Sequence, residues 1–315
     1  MLSHTSAKPP GDIAKVRRRG CLAAAALLAC LCALPAVACE PLGYAKPQLL
    51  SGAGGQFAVP PGADRNALVL ALVDCLGSTD PENRDAIGYT GLATLLRGGD
   101  IEPGVVRRLR TELTILLSGD DAGGAGFLQP FAALALAEVA RVDRISPLFS
   151  ADERAGLVGT ATAYVEGIRD YRGYSDTEGW RHGVAHGADL LLQLVLNPAL
   201  DAADVRSIVR AALSQVRAAD GHAYIYGEGR RLARPVLFAA RRDVISAAEW
   251  QELFKALTAP PGASWDEAFR SSEQLAILHN LRGFFLDIYA AVAESPRAEL
   301  AGIRDAARAA LEQLP

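Results

Sequence analysis

An all-α chain of antiparallel helical hairpins is predicted by three observations. Ala and Leu dominate while aromatic residues make up only 6% of the sequence, a balance that suits close-packed helices better than sheets. Apolar residues recur at three- and four-residue spacings from about residue 65 onward, the period of amphipathic helices. Gly, Pro and Asp separate these segments, as expected for helix ends and turns. Helices of this length on short loops pack as antiparallel neighbours, so the fold reads as a HEAT-like α-solenoid or an α/α superhelix. The stretch DPENRDAIGYTGLATLL from Asp80 resembles a HEAT-type repeat helix, although no strict period runs through the chain.

The N-terminus reads differently. Four positive charges between Lys15 and Arg19 lead into an apolar run from Cys21 to Ala38 that is broken by Pro35. A charged start, an apolar centre and a small-residue end make residues 1–38 a signal peptide, with cleavage after Ala38. A retained membrane anchor is the competing reading, but the run is short for a span and carries a helix breaker. AVAC (Ala36 to Cys39) and LLAC (Leu27 to Cys30) both resemble bacterial lipoprotein processing sites. The expectation is therefore an exported protein of the periplasm or cell envelope, with lipidation at Cys39 as the second possibility. A membrane enters only through that anchor.

Residues 39–64 are rich in Gly, Pro and Ala and read as an irregular arm. Residues 65–315 read as a single helical domain, with helices over 65–76, 82–97, 103–118, 127–142, 152–169, 179–196, 201–217, 231–242, 246–257, 266–293 and 296–313. Several starts have a mechanism. Pro103 follows Glu102, Ser150 precedes Asp152 and Glu153, and Ser246 with Glu249 forms a full capping box.

Loss of residues 1–38 removes five basic residues and Asp12, leaving 27 basic and 35 acidic groups and a charge of −8. Such a chain has no electrostatic case for binding nucleic acid. Cys39 and Cys75 are the cysteines left after cleavage. In an oxidising compartment they could pair, or Cys75 could be a small core residue within LVLALVDCL.

Polar groups concentrate between Asp170 and Leu194. On a helix starting near Glu178, the residues Glu178, His182, His186 and Asp189 share one face. His at i and i+4 can present two nitrogens to a divalent metal, and a carboxylate can complete the shell. The competing reading is a buried hydrogen-bond network, with Asp189 accepting from a ring or a backbone N–H. Gly179, Gly183 and Gly187 beside the stripe would let another helix or a ligand approach closely. A second cluster places His222, Tyr224, Tyr226 and Glu228 on a loop, with Arg230, Arg231 and Arg234 opening the next helix. That composition suits recognition, or else Glu228 pairs with Arg231 or Arg234 to staple the loop. His279 reads as a hydrogen-bonded core residue. No nucleophile elbow, P-loop or dinucleotide fingerprint is present.

Four stretches carry a resemblance: GYTGLATLLRGG at Gly88, FLQPFAALALAEVAR at Phe127, YRGYSDTEGWRHGVAHGADLL at Tyr171 and YGEGRRLARPVLFAARR at Tyr226. With them the chain, from about Arg65 to its C-terminal region, resembles the bacterial family catalogued as domain of unknown function 2785. The most specific pieces are the GW-x-H-x-x-x-H-G-A-D core, Gly179 to Asp189, and the GE-x-x-RLA segment, Gly227 to Ala233. The resemblance implies an all-helical domain and no established activity.

Two functions follow as expectations. The first is a helical scaffold whose concave face binds a protein, peptide or small ligand through Trp180, His182, His186, Asp189, Tyr226, Glu228 and Arg231. The second is a metal-dependent hydrolase or lyase with His182, His186, and Asp189 or Glu178 as ligands to a divalent metal, and Glu228 as general base.

Overall fold

In the computed structural model, which describes residues 39–119, 125–260, 262 and 264–315, regular helix begins at Arg65. It begins there because the Asp64 carboxylate accepts from the N–H groups of Asn66 and Ala67, groups that a helix start otherwise leaves unpaired. The expected signal peptide and its three cysteines lie outside the described residues.

The segment before Arg65 is made of short turns and one four-residue helix, α1 (Lys46–Leu49). It is nonetheless packed. Leu49 is fully buried, Phe57 nearly so, and the Phe57 ring lies so close to Gly91 that a Cβ there would meet it at 2.8 Å. Lys46 pairs with Asp80 at 2.7 Å. Cys39 and Cys75 form a disulfide across a sequence separation of 36, which settles the alternative left open by their spacing. Closing a loop of that length contributes about 3–4 kcal/mol in the chain-entropy account.

Helix α2 (Arg65–Ala71) tightens into a 3₁₀ turn over Leu72–Cys75. The next segment, Glu82–Tyr89, is wound as a π-helix before α3 (Thr90–Gly98) continues it, so the stretch that resembles a HEAT helix is α-helical only in its second half. There follow α4 (Pro103–Ser118), α5 (Leu128–Ile145), α6 (Ala151–Gly167), strands β1 (Tyr174–Ser175) and β2 (Gly179–Trp180), α7 (Gly183–Val195), α8 (Ala202–Ser214), α9 (Glu228–Ala240), α10 (Ala247–Leu257), α11 (Ser272–Val292) and α12 (Ala301–Gln313). The caps read from sequence hold. Ser150 with Glu153 and Ser246 with Glu249 both form reciprocal capping boxes.

The helices form two layers. α3, α5, α7, α9 and α11 pack side by side in that order, while α4 backs α5, α6 backs α7, and α8 backs α9. α10 and α12 cover the far end, with α12 against α11. α11 is long and apolar enough to cross a bilayer by length and composition, but it lies against α9 and α12 with Phe284, Phe285 and Ile288 fully buried. α7 is the most enclosed element, with eleven of its thirteen residues buried. Gly187 permits this: a Cβ there would meet Val165 of α6 at 2.8 Å.

Candidate functional site

The sequence predicts helix from residue 179, but the chain turns there instead. β1 and β2 pair antiparallel, with Tyr174 opposite Trp180 and Ser175 opposite Gly179. Gly179 adopts φ +74°, a conformation that costs glycine nothing, and the rings of Tyr174 and Trp180 pack at 5.0 Å. Aromatic cross-strand contact of this kind stabilises a hairpin. Backbone bonds from Arg181 N–H to Gly173 and from His182 N–H to Arg172 carry the pairing to the start of α7.

α7 therefore begins four residues later than expected, and the four-residue stripe is not one helical face. Glu178 sits in the hairpin turn, where its carboxylate accepts from Arg181 at 3.0 Å. Asp189 is on α7 but takes a two-pronged hydrogen bond from Arg231 of α9, with Arg234 at 3.8 Å. The acceptor role expected of Asp189 is real; its donor is a guanidinium, not a ring or a backbone N–H. This also corrects the loop staple, because Arg231 and Arg234 turn to Asp189 and leave Glu228 to other partners.

Glu228 is helical, not part of a loop. Gly227, at φ +86°, precedes it as the N-cap of α9, and the buried Glu228 carboxylate accepts from the Tyr226 N–H at 2.9 Å. Its second oxygen lies 3.7 Å from Nε2 of His182, too long for a hydrogen bond. His182 caps α7 in the left-handed region at φ 57°, ψ 39°, a placement that costs a non-glycine residue about 1–2 kcal/mol. One turn on, His186 is buried with its ring edge-on to Phe131 at 5.0 Å, and the two imidazoles are 5.9 Å apart.

Both rings are neutral at neutral pH. Burial pushes His182 down to about 4, with the Arg231 guanidinium acting in the same direction against a backbone hydrogen bond to Tyr226. Burial pushes His186 down to about 3, aided by His182 and Arg231 and opposed by a bond to the backbone of Pro130. Nε2 of His182 and Nδ1 of His186 are buried and have no protein partner. Among the described residues no group of three or more His, Cys, Asp or Glu side chains is placed to hold a metal ion. The structure brings His182 beside both His186 and Glu228, ties Asp189 to Arg231 one turn beyond His186, and puts Glu178 in the hairpin turn.

Over this cluster lie exposed aromatics. Trp180 stacks on His182 at 4.6 Å and meets Tyr226 edge-on at 5.5 Å; Trp180 and Tyr226 are each 37% exposed and Tyr174 46%. An open groove of about 930 Å³ runs beside Tyr174 and Tyr226, between the hairpin, residues 169–172 and the Ala219–Tyr226 loop. His222 lines it, stacked on Tyr171 at 5.2 Å. Tyr224 instead points inward, its hydroxyl donating to the Gln215 carbonyl. His279 meets the Tyr224 carbonyl at 3.3 Å, consistent with a core role.

The sequence reading missed the groups that brace this site. Arg84, fully buried in the π-helix, lies 4.1 Å over the Phe127 ring and donates to the carbonyls of Ser78 and Glu178. Tyr89 and Arg97 both donate to the buried Glu138. A lone Arg in a helical pattern gives no sign of facing inward, and only the apolar run from Phe127 that receives it is visible.

A family model described as a protein of unknown function, DUF2785, matches residues 119–290. The chain belongs to the DUF2785 family. The matched region holds α5 to α10, most of α11 and every residue of the aromatic and imidazole cluster; it is narrower than the stretch from Arg65 that the resemblance covers, and leaves the Gly88 motif outside. No curated protein and no solved structure is significantly similar to this DUF2785 chain.

Proposed function

We propose that this DUF2785 protein is an exported binding protein, built as HEAT-like helical hairpins, whose ligand lies in the groove between the β-hairpin and the Ala219–Tyr226 loop. One observation carries this reading. The exposed rings of Tyr174 and Tyr226 line an open groove, and Trp180, packed against both, stacks on His182 of a buried pair of imidazoles whose nitrogens Nε2 (His182) and Nδ1 (His186) have no hydrogen-bond partner in the protein. Buried polar atoms without partners each cost about 1–3 kcal/mol, and such costs concentrate at functional sites. The helices hold the hairpin and the loop in fixed register, as a scaffold holds recognition loops.

Tyr226 is placed by Gly173, because a Cβ at residue 173 would overlap the Tyr226 ring. The test is a fragment screen by two-dimensional NMR on wild type and Gly173→Ala. Hits are expected to shift the Tyr174, Trp180 and Tyr226 signals in wild type and to bind about tenfold more weakly in the variant. Hits confined to other surfaces, or equal binding in both proteins, would overturn the reading.

Export without lipidation belongs to the same proposal. Disulfides persist in oxidising compartments, and a sulfur bonded to Cys75 is not available for a thioether to diacylglycerol. Intact-mass measurement of material from the envelope fraction is expected to show a chain starting at Cys39, with the mass of the disulfide form. A diacylglycerol increment on Cys39 would refute it.

A further inference from the structure

The charged groups that line the groove balance: Arg169, Arg172 and Arg181 face Asp170, Glu178 and Asp220. All but the exposed Asp220 are also engaged with one another or with the backbone. Arg172 pairs with Asp170 and Arg181 with Glu178, while Arg169 donates to the Glu166 and Ile168 carbonyls. An ionic ligand entering here gains no net field and has to compete with pairs already made. A neutral ligand with many hydroxyls suffers neither penalty, since paired guanidinium and carboxylate groups keep spare donors and acceptors at their edges.

The apolar part of the groove points to the same class. Tyr171 and Tyr174 line it together with Tyr226, which Trp180 meets edge-on. Flat faces of this kind take the C–H face of a pyranose ring, whose positively polarised hydrogens complement the negative ring face. Within the groove His222 stacks on Tyr171, and its Nε2 is buried without a protein partner, one more polar atom for a hydroxyl to meet. A volume of about 930 Å³ lies at the upper end for small-ligand sites, which suits an oligosaccharide better than a single sugar.

We infer that the groove beside Tyr174, Tyr226 and His222 binds a neutral oligosaccharide. This rests on the groove reading above and goes further by naming the ligand class. The probes are maltotriose, cellotriose and tri-N-acetylchitotriose, with trilysine and triglutamate as charged counterparts. The protein is the exported chain labelled with 5-fluorotryptophan, which gives separate signals for Trp180, Trp250 and Trp265, the Trp180 signal being assigned through Trp180→Phe.

At least one neutral trisaccharide is expected to shift the Trp180 signal saturably, with affinity unchanged between low and high salt. Tyr174→Ala and His222→Ala, with circular dichroism unchanged, are each expected to weaken it about tenfold. A saturable shift with a charged tripeptide alone would overturn the sugar assignment and leave the groove standing as a binding site. No shift with any of the five probes would overturn the sugar assignment; if the fragment screen also places no hits at the groove, the binding reading falls with it. Trisaccharide binding that survives both substitutions at full strength would place the sugar elsewhere and overturn the inference.

Discussion

Between pH 7 and pH 5 the folded state is expected to lose about 4 kcal/mol of stability through His182 and His186 alone. Their folded values, about 4 and about 3, lie below the ordinary 6.5, so in this interval the unfolded chain binds two protons that the folded chain does not. Stability therefore rises with pH through the window and falls as the solution is acidified. Carboxylates held low by their partners, such as Asp143 against Arg154 and Asp80 against Lys46, act in the same direction. Their main contribution lies below this window, because unfolded Asp titrates near 4. Urea denaturation at pH 7, 6 and 5 measures the slope. His182→Asn removes one titrating ring and keeps a residue type that tolerates the left-handed region, so it should roughly halve the loss. A flat profile in wild type would mean that the imidazoles are not buried and neutral.

Arg84→Met is expected to cost about 3–5 kcal/mol, the range for removing one partner from a buried charged network, and to lower Tm by about 10 °C. The guanidinium has no exposed surface, binds two main-chain carbonyls and the Asp85 carboxylate, and lies over Phe127 and Phe131. Burial already pushes the Asp85 carboxyl up, and Arg84 opposes that, so its loss leaves Asp85 worse placed as well. Arg84→Lys should rescue little, because one ammonium cannot span acceptors that a planar fork reaches together. Since one of those acceptors is the Glu178 carbonyl, NMR signals from Trp180 should broaden before the global transition. A Tm within about 2 °C of wild type would show that the network is dispensable.

How much of this was legible beforehand divides by the range of the interactions involved. Helix ends follow from local pattern and caps and lie within three residues of the sequence reading from α4 to α12. The starts of α7, α11 and α12, however, come four to six residues late and that of α9 three early, with 3₁₀ turns over Trp265–Arg270 and Ala298–Leu300 standing before α11 and α12. At α7 and α9 the displacement has one kind of cause. Hairpin pairing of Tyr174 with Trp180, and the left-handed Gly227, are tertiary choices that override a helical period. The residues at the site were visible as types: Trp180, His182, His186, Tyr226 and Glu228 do come together. Their pairing was not, because Asp189 and Glu228 exchange partners across α7 and α9, and no spacing within one helix encodes which neighbour an Arg will choose. Arg84 and Glu138, polar residues on buried helix faces, were invisible for the same reason.

The π-wound segment Glu82–Tyr89 has a consequence for chain length. In an α-helix, positions five apart, such as Arg84 and Tyr89, diverge by roughly 140° around the axis. In the wider π winding, marked here by the Thr90 N–H bonding back to the Asp85 carbonyl, they diverge by only about 50°. That lets Arg84 reach the hairpin while Tyr89 reaches Glu138 from the same side. Such a winding carries one residue more than an α-helix would need over the same rise. Winding these same residues as ordinary α-helix would swing one of the two side chains out of the interior, whereas removing one residue between them would leave them four apart, about 40° around an α-helix, and still on one side. The wider winding thus absorbs one supernumerary residue, and a chain one residue shorter between Arg84 and Tyr89 is expected to keep both side chains facing inward on an ordinary helix.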